Sequence, residues 1–174
     1  MNVAFVVGHH QKAKGKFSNY FGLTEWDFYN KVLKHFKNPT IFYHNPSTRS
    51  YVNRQIETGE KINSFPFDLV IELHFNSFNT KASGVETFYH HKSIKGRKYA
   101  EKFNEVCVRW TGLTLRGAKP LSSSSQNGYG FLNSNKYPSI LIEPFFGDNE
   151  NDCKAIKSPK QMACIIEDFI RQIS

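Results

Sequence analysis

The chain has 174 residues, of which 39% are hydrophobic and 15% aromatic, with 23 Lys and Arg against 15 Asp and Glu for a formal charge of +8. This length supports one domain with a self-sufficient core, and the composition excludes a disordered or low-complexity chain. Three cysteines without C-x-x-C spacing exclude a disulfide frame and a thiolate metal site, and no apolar run is long enough to span a membrane.

The positive balance favours polyanions at low salt, which include nucleic acid, anionic wall polymers and acidic lipid head groups. The basic residues are scattered, however, and the densest run, Lys92, Lys95, Arg97 and Lys98, reads as the solvated start of a helix. The N-terminus MNVAFVVGHH lacks the basic and long apolar regions of a secretory signal, so synthesis in the cytoplasm is expected.

Val3 to Val7 is a continuous apolar run, the pattern of a strand buried on both faces. Thr24 is an N-cap for a helix in which Trp26, Tyr29, Leu33 and Phe36 recur up to the stop at Asn38-Pro39. A strand follows at Thr40 to Tyr43, then a turn at Asn45 to Thr48 and a weak helix from Tyr51 to Ile62 that carries Gly59. Leu69 to Leu73 and Gly84 to Tyr89 are the third and fourth strands. Tyr99 to Trp110 is an amphipathic helix with Phe103, Val106, Cys107 and Trp110 on one face. Leu121 to Asn135 reads as a long polar loop, Ile140 to Ile142 as the last strand, and Pro159 to Ile173 as the closing helix. Alternating strands and helices predict an α/β fold, a twisted and mostly parallel sheet flanked by helices, in one domain over residues 1–174.

In such sheets ligands bind beyond the carboxyl ends of the strands. The first strand ends at His9, the third at His74 and the last at Glu143, while Glu25 heads the first helix at the same edge. Two imidazoles and a carboxylate suit a catalytic zinc with one open position, and a further carboxylate can take the proton from water. Glu143 sits in the apolar phrase SILIEPFF, where an unpaired carboxylate costs several kcal/mol or titrates. His10 competes with His9, but the residue directly after Gly8 has the shorter path over the strand end. His44, ending the second strand, is a reserve ligand. His90 and His91 read as edge residues, His35 as solvated, and Phe75 and Phe78 as core or cleft wall. Nucleophile elbows, P-loops and G-x-G-x-x-G runs are absent, which removes support for nucleophilic catalysis and nucleotide binding.

Several phrases resemble, in order, the zinc-dependent N-acetylmuramoyl-L-alanine amidases of the Amidase_3 type. VVGH matches a strand followed by Gly-His, Glu25 a glutamate opening the first helix, Thr48-Arg49 a Thr-Arg turn, and ELHFNS a strand ending in S-I-H-x-N. GVETFYH, RGAK at Arg116 to Lys119, and LIEPFFGDNEND from Leu141 to Asp152 match three later phrases. The resemblance implies one zinc per chain held by His9, Glu25 and His74, Glu143 as the catalytic carboxylate, and Asn76 at the cleft as a substrate-binding residue. It also implies peptidoglycan as the partner, with cleavage between N-acetylmuramic acid and L-alanine. Two positions depart from the pattern: His10 stands where a small residue is usual, and Phe145 where glycine is usual.

The charge and the missing signal segment suggest a phage-type endolysin, synthesised in the cytoplasm and released to the bacterial cell wall. A monomer is expected, with no nucleic-acid partner and no stable membrane insertion. A zinc carboxypeptidase or aminopeptidase is an alternative, with Arg49 or Arg116 offered to a terminal carboxylate. A non-enzymatic basic module binding anionic polymers is another, although it leaves the strand-end groups without a task.

Overall fold

A computed structural model describes residues 1–174. Its elements in chain order are β1 (Val3–Val7), β2 (Phe17–Ser18), β3 (Leu23–Thr24), α1 (Glu25–Leu33), β4 (Thr40–Tyr43), α2 (Tyr51–Asn63) and β5 (Leu69–Leu73). They continue with β6 (Val85–His90), α3 (Ile94–Thr111), β7 (Leu115–Leu121), α4 (Tyr129–Ser134), β8 (Ser139–Glu143), α5 (Glu150–Ile156) and α6 (Pro159–Ile173).

Six strands form one sheet in the order β4-β1-β5-β8-β6-β7, and β2 pairs with β3 in a separate small hairpin. The strands β4, β1, β5 and β8 are mutually parallel. β6 runs antiparallel to β8, and β7 follows β6 in parallel. The expected α/β class with a mostly parallel sheet is therefore what the chain forms. β1 and β5, mostly apolar, lie inside the sheet, where both faces are covered.

Helices cover the two faces unequally. On one side Phe28 and Val32 of α1, Phe103 and Val106 of α3, and Ile166 and Phe169 of α6 join Phe5, Val7, Ile71 and Ile142 in the larger core. On the other, Ile62 of α2 and Phe131 and Leu132 of α4 pack on Ala4, Val6 and Val70. Because side chains alternate along a strand, each central strand feeds both cores.

Four elements are harder to read in the chain. β7 has the sequence LRGAKPL, in which Gly117 and Pro120 argue against a strand; it is an edge strand, where both are tolerated. The expected loop from Leu121 to Asn135 contains the short helix α4, which buries only Phe131 and Leu132. α5 begins where the Asn149 side chain accepts from the backbone N–H groups of Asn151 and Asp152. α3 starts at Ile94, five residues before Tyr99, capped by Ser93, whose hydroxyl accepts from the Gly96 N–H at 3.0 Å.

Candidate active site

The parallel strands β1, β5 and β8 end at one edge, and the residues that follow them line a cleft of about 480 Å³. The chain leaves β1 through Gly8 and then turns left-handed at His9, with φ of 66°. That conformation costs a non-glycine residue roughly 1–2 kcal/mol. It turns His9 toward Glu25, with His9 Nε2 3.1 Å from Glu25 Oε1. Gly8 must be small: a Cβ there would sit 2.5 Å from His74 Nε2. Gly15, at φ of 78°, likewise makes room, since a Cβ there would lie 2.5 Å from His9 Cδ2.

Glu25 is the first residue of α1, placed by the Thr24 cap, whose hydroxyl accepts from the Asp27 N–H. An ionised carboxylate is favoured at that helix end. Glu25 Oε1 also accepts from the Lys16 N–H at 2.9 Å, and Oε2 lies 3.1 Å from His74 Nδ1 and accepts from the Phe75 N–H at 3.4 Å. Burial opposes its ionisation, but the hydrogen bonds from His74 and then His9 outweigh burial and hold it at about 2. His74 is buried at the end of β5, where the Tyr29 hydroxyl donates to its carbonyl at 2.5 Å. One donor atom from each of His9, Glu25 and His74 lies within 4.8 Å of the other two. Two imidazole nitrogens converging on an ionised carboxylate fit a zinc ion with an open coordination position.

Glu143 ends β8 on the wall of the same cleft, half-buried, and its Oε2 is buried without a hydrogen-bond partner. Burial raises its carboxyl to about 8; nearby His74 counteracts this, while the neighbouring carboxylates, Glu25 foremost, add to it. The loop beyond Glu143 is pinned by buried Asp152, whose Oδ2 accepts from the N–H groups of Gly84 and Phe146 at 3.0 and 2.9 Å. Its Oδ1 accepts from the Ser83 hydroxyl, so the closing Asp of the phrase ending at Asp152 ties β6 to the floor of the cleft.

Asn76 also lines the cleft, but its side-chain amide donates to Glu86 Oε1 at 2.6 Å. Glu86 is a site residue that the strand pattern does not single out. Because β6 runs backwards, Glu86 lies at the beginning of its strand and directly beside Glu143 in register. It is buried and bonded by Arg116 Nε at 3.0 Å and by Lys119, which together hold its carboxylate below the usual range despite burial. Glu72 is a second such residue, also buried. Its Oε1 lies 2.9 Å from His44 Nε2 and 3.4 Å from His74 Nε2. The hydrogen bond from His44 and the nearby His74 imidazole overcome burial and keep Glu72 at about 2.

The reserve ligand His44 is not brought to the trio; its Nδ1 faces the Thr58 hydroxyl at 2.9 Å and its Nε2 faces Glu72. His10 is buried and turned aside, with Nδ1 accepting from the Lys12 N–H at 3.3 Å. Burial and the charge of Arg54 lower its pKa, disfavouring the cation. His90 and His91 lie at the opposite edge of the sheet, and His35 is exposed. Phe75 is core, whereas Phe78 is 79% exposed and so belongs to neither core nor buried wall. Phe145, at the position where glycine is usual, packs within about 6 Å of the rings of Phe28, Phe75 and Phe21. It thickens the core beneath the cleft and leaves the cleft open.

The fold is an α/β domain whose cleft lies beyond the carboxyl ends of its parallel strands. The N-acetylmuramoyl-L-alanine amidase family, Amidase_3, matches residues 3–174, and the chain belongs to that family. The resemblance in the sequence phrases and the enzyme class it implied are thus borne out. An uncharacterized cell wall amidase of Bacillus anthracis is 33% identical over 101 residues, 53% of this chain and 18% of that protein. The matched stretch is therefore less than a fifth of that relative's length. Among solved structures, the catalytic domain of the CD27L endolysin targeting Clostridia difficile superposes with a TM-score of 0.77 at 24% identity, covering 99% of this chain and 97% of that one. An N-acetylmuramoyl-L-alanine amidase from Clostridium difficile 630 gives a TM-score of 0.75 at 20% identity, covering 98% and 95%. These likenesses show a shared fold. No helix is long and apolar enough to cross a membrane.

Proposed function

We propose that the cleft hydrolyses the amide joining N-acetylmuramic acid to L-alanine in peptidoglycan, with His9, Glu25 and His74 holding one zinc ion and Glu143 moving the proton. The observation that carries this reading is the convergence of the three donors beside an unpartnered, half-buried carboxylate. A bound zinc supplies Lewis-acid polarisation of the carbonyl, acidifies water, and favours the ionised form of Glu143. Glu143 takes a proton from the attacking water and delivers it to the L-alanine nitrogen, a poor leaving group until protonated. Asn76, held by Glu86 through its side-chain amide, lines the substrate side of the cleft with one amide hydrogen left to donate.

The zinc exopeptidase alternative needs a fixed cation for a terminal carboxylate, and neither Arg49 nor Arg116 lines the cleft. Arg116 is committed to Glu86. The likeness to an endolysin catalytic domain and the charge of +8 support a phage-type lysin that acts at the cell wall after release. Digestion of purified peptidoglycan tests the reaction. New N-terminal alanine without new reducing ends, abolished by chelation and restored by zinc, is the expected result; release of free C-terminal amino acids instead would overturn it.

A further inference from the structure

β5 reads LVIEL, and its glutamate is the one charged residue in a strand buried along its whole length. Glu72 aligns with Val6 of β1 and Leu141 of β8, positions that an aliphatic side chain would fill at no electrostatic cost. Burying a carboxylate there is expensive unless it is paired. Its partners are two imidazoles, and one of them belongs to the proposed metal trio.

The two nitrogens of His74 face different carboxylates. Nδ1 lies 3.1 Å from Glu25 Oε2, on the side of the trio, and Nε2 lies 3.4 Å from Glu72 Oε1, behind it. Glu72 is itself held from the far side: His44 Nε2 is 2.9 Å from the same oxygen, and His44 Nδ1 is 2.9 Å from Thr58 Oγ1. The Thr58 hydroxyl donates to the Arg54 carbonyl at 2.9 Å, so its oxygen is free to accept from His44. Thr58, His44 and Glu72 thus form one buried hydrogen-bonded chain, and the buried His74 Nε2, which has no hydrogen-bond partner, faces its end at 3.4 Å.

We infer that Glu72 is a positioning residue for the metal site: it accepts the Nε2 proton of His74, which fixes the ring and leaves the Nδ1 lone pair for the metal, and His44 fixes Glu72 in turn. A carboxylate behind a ligating imidazole raises the basicity of that ligand and sets its tautomer. This inference rests on the reading of His74 as a metal ligand. A purely structural ion pair would affect stability and leave metal affinity unchanged, so the two roles separate experimentally.

The test is zinc affinity, measured by competition with a chromophoric chelator, together with the visible absorption of the cobalt(II)-substituted protein. Glu72→Gln keeps the shape and removes the charge, and it should weaken zinc binding by about 10–100-fold and shift the cobalt bands. His44→Gln should produce a smaller loss in the same direction, and it carries the test if Glu72→Gln does not fold. Wild-type affinity and an unchanged cobalt spectrum in the folded variants, with zinc lost in His74→Ala, would overturn the role of Glu72 alone. Undiminished zinc binding in His74→Ala would overturn the metal reading and this inference with it.

Discussion

Two pairs of histidines stand at strand ends in this chain, and they lie at opposite edges of the sheet. His9 and His74 extend β1 and β5, which are parallel, and both meet Glu25. His90 and His91 lie at the end of β6, which runs the other way, so they sit at the far edge of the sheet. Strand direction, more than the identity of the terminal residue, decides which groups share a cleft. The reversal that removes His90 from the site delivers Glu86 to it from the other end of the same strand.

The largest expected effect breaks the comparison at its catalytic member. Glu143→Gln should lower the rate of muramoyl–alanine cleavage by about 10²–10⁴-fold, the usual contribution of a positioned acid–base group, while zinc content stays at one per chain. Quantified release of N-terminal alanine, with elemental analysis of the same sample, checks both halves. His90→Ala, at the other edge, should leave rate and metal content unchanged; a comparable loss there would erase the distinction between the edges.

Phe145→Gly, which places the usual residue of the family pattern at this position, should destabilise the protein by about 3–5 kcal/mol, because it empties a site surrounded by Phe28, Phe75 and Phe21. Denaturant unfolding measures it. A neutral result would mean that the aromatic cluster beneath the cleft can collapse around the loss.

Titration sharpens the contrast within the site itself. Glu25 and Glu72 are held at about 2 against an ordinary 4.5, so the stability they contribute is fully present above pH 4.5 and is lost as pH falls through about 2. Glu143 is raised to about 8, so its contribution is present below 4.5 and is lost as pH rises through about 8. With chelator present, Glu143→Gln should therefore raise the thermal midpoint at pH 9 and leave it unchanged at pH 4. Equal midpoints at pH 9 would show that Glu143 is better solvated than its surroundings indicate.

The smallest expected effect concerns His10, the residue beside His9. It is turned away from the trio, and His10→Asn should alter zinc affinity far less than His9→Asn, as chelator competition will show.

Much of this was legible in the chain because β1, β5 and β8 are dominated by apolar residues and each leads into an ionisable residue at its carboxyl end. Glu25 was legible from its cap, Thr24. What escaped were features set by tertiary partners. The direction of β6 depends on its neighbour in the sheet, and no residue within VETFYH encodes it. Glu72 looks like a flaw in an apolar strand until His44, brought alongside by β4, supplies its partner. β7 is an edge strand whose Gly117 and Pro120 argue against a strand when read alone.

The most direct test of the central claim is zinc per chain in the wild-type protein and in His74→Ala, measured by elemental analysis after dialysis. One zinc in the wild type and none in the variant is the predicted result. Equal zinc content in the two proteins would contradict the assignment of this edge of the sheet as the metal site.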